Sequence, residues 1–182
     1  YKHRPACRTG TVIIFMDILC DQSTNKYKHM KQGLTITNHI IINANALKVW
    51  DALVNPELTK KYMFGCETVS DWKNGSELLW RGEYEGKKMD FVKGHIVNME
   101  PGKFLAYTVI DPNNPSIPDV PENYLTVTYT LKEEDGVTHF TVTQGDYSTV
   151  AEGEKRYQDS YNNGEGWNPI LAEIKKLVEE SN

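Results

Sequence analysis

"NNGEGWNPILAEIKKLVEE", Asn162 to Glu180, holds two glycines, a tryptophan, a proline and then a periodic apolar run. Gly164 and Gly166 interrupt whatever helix precedes them. Proline fits a helix only in its first turn, where no intrahelical N–H is required, so Pro169 predicts a start near Glu165 or Gly166. From there Trp167, Ile170, Leu171, Ile174, Leu177 and Val178 recur at helical spacing as one apolar stripe. Such a stripe must be buried on something. Trp167 is then either the first knob of that packing or an aromatic facing a ligand.

The burying surface is read from the residues upstream. Between Cys66 and Asp146 the pattern is almost wholly that of strands. "ELLWRGEYEG" alternates, placing Leu78, Trp80 and Tyr84 on one face and Arg81, Glu83 and Glu85 on the other. "MDFVKGHIVNME" carries apolar residues in both phases, Phe91 and Val97 in one and Val92 and Ile96 in the other. Glu100-Pro101-Gly102 turns the chain into "KFLAYTVID". "YLTVTYTL" sends Leu125, Val127, Tyr129 and Leu131 inward, Asp135-Gly136 marks a hairpin, and "THFTVTQGD" returns with Phe140 and Val142. The segment "DPNNPSIPDVPEN", studded with Pro112, Pro115, Pro118 and Pro121, reads as a true loop and a pocket rim.

Before this run, "LTITNHIII" (34–42) is a β-branched first strand. Asn45 then caps a helix whose apolar face is Leu47, Trp50, Leu53 and Val54, and Asn55-Pro56 opens a second short helix. After Asp146, Thr149-x-x-Glu152 has the pattern of a capping box. Strands in a run with helices at the ends indicate α+β. The expected architecture is a curved antiparallel sheet of six to seven strands wrapped round the long C-terminal helix, with two short helices after strand one. One helix cannot fill the whole concave face, so a cavity is expected between sheet and helix.

With 182 residues and no repeat or composition shift, the chain has room for one domain of ordinary size, taken as residues 30–182. Residues 1–29 are expected to be an artificial or poorly ordered extension, with an extra strand as the alternative. Within them "TVIIFMDILC" is ten residues long and broken by Asp17, too short for a membrane span. Net charge is -5, and residues 1–31 hold six Lys/Arg against two acids, leaving the body at −9. That balance argues against nucleic acid as a partner. Three widely spaced cysteines without a CxxC suit a reducing cytoplasm and argue against a disulfide framework or metal site.

"ANALKVWDALVNPELTKKYMF", "SDWKNGSELLWRGEYEG", "GHIVNMEPGKFLAYT", "PENYLTVTYTL" and "GWNPILAEIKKLVEE", in that order, resemble the family of activators of heat-shock-protein-90 ATPase homologues. That family lies in the START-like (birch-pollen-allergen-like) superfamily, and the resemblance runs from about Thr35 to Glu180. One departure is Tyr62, where many relatives carry tryptophan. The resemblance implies a helix-grip fold with an internal hydrophobic cavity. It also implies a set of roles that spans stress-response chaperone regulators and binders of lipid-like molecules.

The inward aromatics are the candidate site. Trp50, Trp80, Tyr84, Phe91, Tyr107, Tyr129, Trp167 and Leu171 are expected to line the cavity, where lining and core roles overlap. Trp72 either closes the barrel end, the preferred reading, or stands exposed on a rim. No GxSxG, HExxH, P-loop or dinucleotide fingerprint occurs, so no catalytic residue, metal or cofactor is assigned. His95 falls beside Glu83 or Arg81 in some registers, which would allow an acid–base pair, although a solvent-facing histidine fits the strand better. Arg81 is expected to pair with Glu83 or Glu85 at the surface. The leading expectation is a non-enzymatic binding domain for a small apolar or amphipathic ligand. A chaperone-modulating interaction partner is the alternative, and a cyclase- or hydrolase-type enzyme using the same cavity comes third.

Overall fold

The computed structural model describes residues 33–181. The expectations for residues 1–29 lie outside the described residues. The elements are β1 (Ile36–Ile42), α1 (Ala46–Val54), α2 (Pro56–Tyr62), β2 (Glu67–Ser70), β3 (Glu77–Tyr84), β4 (Lys87–Glu100), β5 (Phe104–Val109), β6 (Leu125–Glu134), β7 (Val137–Gly145), α3 (Gly153–Tyr161) and α4 (Asn168–Glu180). The strands form one sheet in the order β1-β7-β6-β5-β4-β3-β2. Every pairing is antiparallel. This is the α+β helix-grip arrangement expected from the sequence.

The two short helices start as their caps dictate. The Asn45 side chain accepts from Lys48 N at 2.9 Å, and Glu133 Oε2 takes the neighbouring Ala46 N–H at 2.7 Å. Asn55 accepts from Glu57 N, with Pro56 at the first helical position. Asn45→Ala should therefore cost about 1 kcal/mol in urea unfolding, as loss of a cap does. A cost near zero would mean that Glu133 alone caps α1.

The helical stripe of α4 seats on the core. Leu171, Ile174 and Val178 are buried in one cluster with Val49, Trp50 and Leu53 of α1 and with Tyr129 and Phe140 of the sheet. Helix α4 begins at Asn168, two to three residues later than the sequence suggests, because the left-handed backbone of Gly166 breaks the helical path there; the free first-turn Trp167 N–H is taken by Asn38 Oδ1 at 2.9 Å. Gly166, at φ +51°, is what permits this approach, since a Cβ there would sit 2.5 Å from the same oxygen. The ties continue along the helix: Lys175 Nζ donates to Ile41 O at 2.6 Å, and Asn43 N donates to Glu179 Oε1 at 2.7 Å. Strand β1 is an edge strand, and α4 caps polar groups that would otherwise be open to another chain.

Several local expectations are corrected. Leu47 is exposed, because the buried face of α1 is Ala46, Val49, Trp50 and Leu53. Val97 is exposed because an irregularity in the β4–β5 pairing leaves it between Ile96 and Asn98 without a partner. The capping box does not form. Glu152 adopts a left-handed backbone without a side-chain cap, and the Thr149 hydroxyl donates back to Asp146 O. Helix α3 instead starts at Gly153, where a Cβ would stand 1.8 Å from Tyr147 O. Trp72 is half-buried against the main core.

Candidate functional site

Between the sheet and the Trp167 end of α4 lies a cavity of about 390 Å³. Its floor is the inward row Trp80, Val92, Tyr107, Val109, Val127 and Gln144, drawn from β3 to β7. Trp167 closes one side, and Met63, Phe64 and Cys66, from the segment joining α2 to β2, stand at another with Phe91 and Glu83. Phe91 reaches the cavity because β4 carries an extra residue opposite Trp80 and Arg81, so both Phe91 and Val92 serve the wall. Apolar residues in both phases of β4 are thus explained by a bulge.

The polar groups are few and their states follow from burial. Tyr107 and Tyr129 share a hydrogen bond of 2.7 Å between their hydroxyls, with the rings edge-on at 5.4 Å. Burial pushes both phenols above their usual range, Tyr107 well above, so both are neutral at physiological pH. Two hydroxyls joined by one hydrogen bond leave one proton over. Tyr107, the member of the pair that borders the cavity, can turn that proton toward a ligand. Gln144 Oε1 accepts from Trp167 Nε1 at 2.9 Å. Because an indole only donates, this orients the amide and leaves its NH₂ as a donor. Burial raises the pKa of Cys66, which keeps the thiol protonated and a poor nucleophile.

The sequence-expected residues divide into three groups. Trp80, Phe91, Tyr107 and Trp167 border the cavity. Trp50, Tyr129 and Leu171 are buried in the core behind it. Tyr84 is 59% exposed and is corrected: it keeps the face of Leu78 and Trp80 but lies beside the β3–β4 turn, past the cover of the helices. His95 is exposed opposite Glu77, away from the cavity, and Arg81 makes its salt bridge with Asp90 at 2.7 Å, not with Glu83 or Glu85. Gln144 was missed, although a polar residue in the inward phase after Phe140 and Val142 is a legible signal. Phe64 was missed because its place depends on a left-handed turn, φ +53°, that leaves it 91% exposed at the rim.

Residues 43–179 match the family model described as Activator of Hsp90 ATPase homolog 1-like protein. The chain belongs to that family. The solution structure of ChR145 from Cytophaga hutchinsonii is 39% identical, with a TM-score of 0.63 over 81% of this chain and 94% of that one. MLL2253 from Mesorhizobium loti (19% identical, TM-score 0.60, 81% and 98% covered) shares the fold. So does Ms6760 from Mycobacterium smegmatis (20%, 0.62, 82% and 93%). No curated protein matches the chain. Among the described residues no three His, Cys, Asp or Glu side chains gather as a metal site. No described helix of this family member is long and apolar enough to cross a membrane.

Proposed function

We propose that the chain is a binding module, set in the cytoplasm, that takes a small apolar or amphipathic molecule into the cavity beneath Trp167. The observation that carries this reading is the apolar space of about 390 Å³ offering hydrogen-bond donors from Tyr107 and Gln144. An apolar body with one acceptor, such as a ketone or an alcohol, suits those walls. Octan-1-ol or 2-octanone at saturating concentration should raise Tm by about 5–10 °C, the rise expected for a ligand about a hundredfold above its Kd. Val127→Phe, which fills the floor, should abolish that rise while the protein stays folded. The reading is overturned if neither these probes nor medium-chain fatty acids move Tm or the Trp80 and Trp167 indole resonances.

A second reading comes with the family description: contact with the ninety-kilodalton heat-shock chaperone and a change in its ATPase turnover, as in a stress response. The exposed Phe64 at the cavity rim favours it, since a lone aromatic so open is a suitable anchor for a protein partner. Phe64→Ser should then reduce any effect on chaperone ATPase rate. An unchanged rate with the wild-type protein at saturation removes this reading.

A further inference from the structure

A second pocket, of about 240 Å³, lies beside the main cavity and shares Val92, Val109 and Gln144 with it. Along the strands, Val109 follows Tyr107 and Leu125 precedes Val127 by one two-residue step, about 7 Å. The floors of the two spaces are therefore continuous on the concave face of the sheet. The far wall is formed by the loop after β5 and by α3.

Tyr147 stands in that wall, held by its own backbone. Its N–H donates to Leu34 O at 2.9 Å, and Asp146 takes Leu34 N and Ser148 N at 2.9 and 2.8 Å. The ring packs with Ile36 and Leu125 and edge-on against Tyr157 at 5.6 Å. The residue is fully buried, yet its hydroxyl makes no hydrogen bond among the described residues. Ser160 and Arg156 stand beside it, and both lower the phenol against the larger, raising effect of burial; the Ser160 hydroxyl is within reach of it, but the two do not meet at hydrogen-bonding distance and angle. A buried hydroxyl without a partner is a net cost to the fold, and phenylalanine would fill the same space without that cost. The hydroxyl is thus available to a partner from outside the fold.

The walls decide what kind of partner. Arg156 Nη1 is engaged by Asn123 O and Ala151 O, at 3.0 and 3.4 Å. Two carboxylates, Asp111 and Asp159, line the same pocket. The pocket therefore has no positive excess to hold an anion. What it does offer is a mixture of donors and acceptors: the Tyr147 and Ser160 hydroxyls and the amides of Asn114 and Gln144. A hydroxyl, which both donates and accepts, is the group that such a set satisfies.

We propose that this pocket is the polar subsite of the cavity, holding the neutral hydroxyl-bearing end of an amphipathic molecule whose apolar body lies against Trp80 and Phe91, with Gln144 shared by the two spaces. The proposal rests on the binding reading above, and the following experiment separates the two.

Octan-1-ol, octanoate and 1-chlorooctane are titrated by calorimetry and by indole and amide shifts into the wild-type protein and into Tyr147→Phe. The alcohol should bind about tenfold more weakly to the variant, the effect of one lost hydrogen bond. The chloroalkane should bind both proteins equally, and octanoate should bind more weakly than the alcohol. The ligand-free variant should melt at or above the wild-type Tm, because an unsatisfied group has been removed. The subsite is overturned if the alcohol loses nothing in the variant, or if octanoate binds tighter than the alcohol. A free variant melting several degrees lower also overturns it, by placing the hydroxyl in a hydrogen bond of the fold. If the chloroalkane binds and the alcohol gains nothing over it, the subsite fails and the cavity reading stands. Failure of all three to bind overturns both.

Discussion

Trp167→Ala should lower the unfolding free energy by about 3 kcal/mol, toward the lower end for a large aromatic truncated in a core. The indole is only half-buried, which limits the apolar area at stake. Three other contacts add to the loss. Its ring meets Tyr129 edge-on at 6.0 Å, its Nε1 donates to Gln144 at 2.9 Å, and it touches both the main core and the smaller cluster around Tyr147. Removing it leaves Gln144 Oε1 without its donor and joins the cavity to the space under α4. Trp167→Phe should show only about half of that loss, retaining the ring contact and losing the hydrogen bond. Urea unfolding monitored by far-ultraviolet circular dichroism measures both variants. A loss below about 1 kcal/mol for alanine would mean that the start of α4 does not seat on the sheet.

Strong alkali should unfold the protein steeply. Tyr62, Tyr107 and Tyr129 are buried, and desolvation raises each phenol above its ordinary value near 10. The Tyr62 hydroxyl donates to Ala52 O at 2.9 Å, so its proton is also engaged. Above pH 10 the unfolded chain releases these protons while the folded chain retains them. Stability is therefore fully present below pH 10 and falls as pH rises beyond it. Three such groups set a slope of about 4 kcal/mol per pH unit, enough to exhaust an ordinary stability of about 5–15 kcal/mol within a few units. Phenolate absorbance should show these three tyrosines, and the buried Tyr147 with them, ionising together with the loss of circular dichroism, after the exposed ones. Smooth ionisation of all ten tyrosines in a protein that stays folded would contradict the burial.

The helices, the strands and their order were legible because each rests on local chemistry. Asn45 and Asn55 cap by themselves, Pro169 limits where α4 can begin, and the alternation of Leu125, Val127, Tyr129 and Leu131 needs only a covered face. The site was less legible. Tyr84 has the inward phase of Trp80, yet nothing in the alternation says where the covering helices end. Phe91 and Val92 both reach the cavity through a bulge, which is a relation between two strands and not a property of one. Glu83 reads as an outward charge and stands at the rim.

The family, the α+β class and the sheet with its packing helix were determined by the sequence itself, since periodicity and caps act over a few residues. The tertiary structure alone decided which buried aromatics border empty space and which are backed by other side chains. It also decided that Gln144 is oriented by Trp167, 23 positions away, and that the Tyr147 hydroxyl makes no hydrogen bond among the described residues. Those outcomes depend on distances between segments remote in the chain, and a linear pattern carries no such distances.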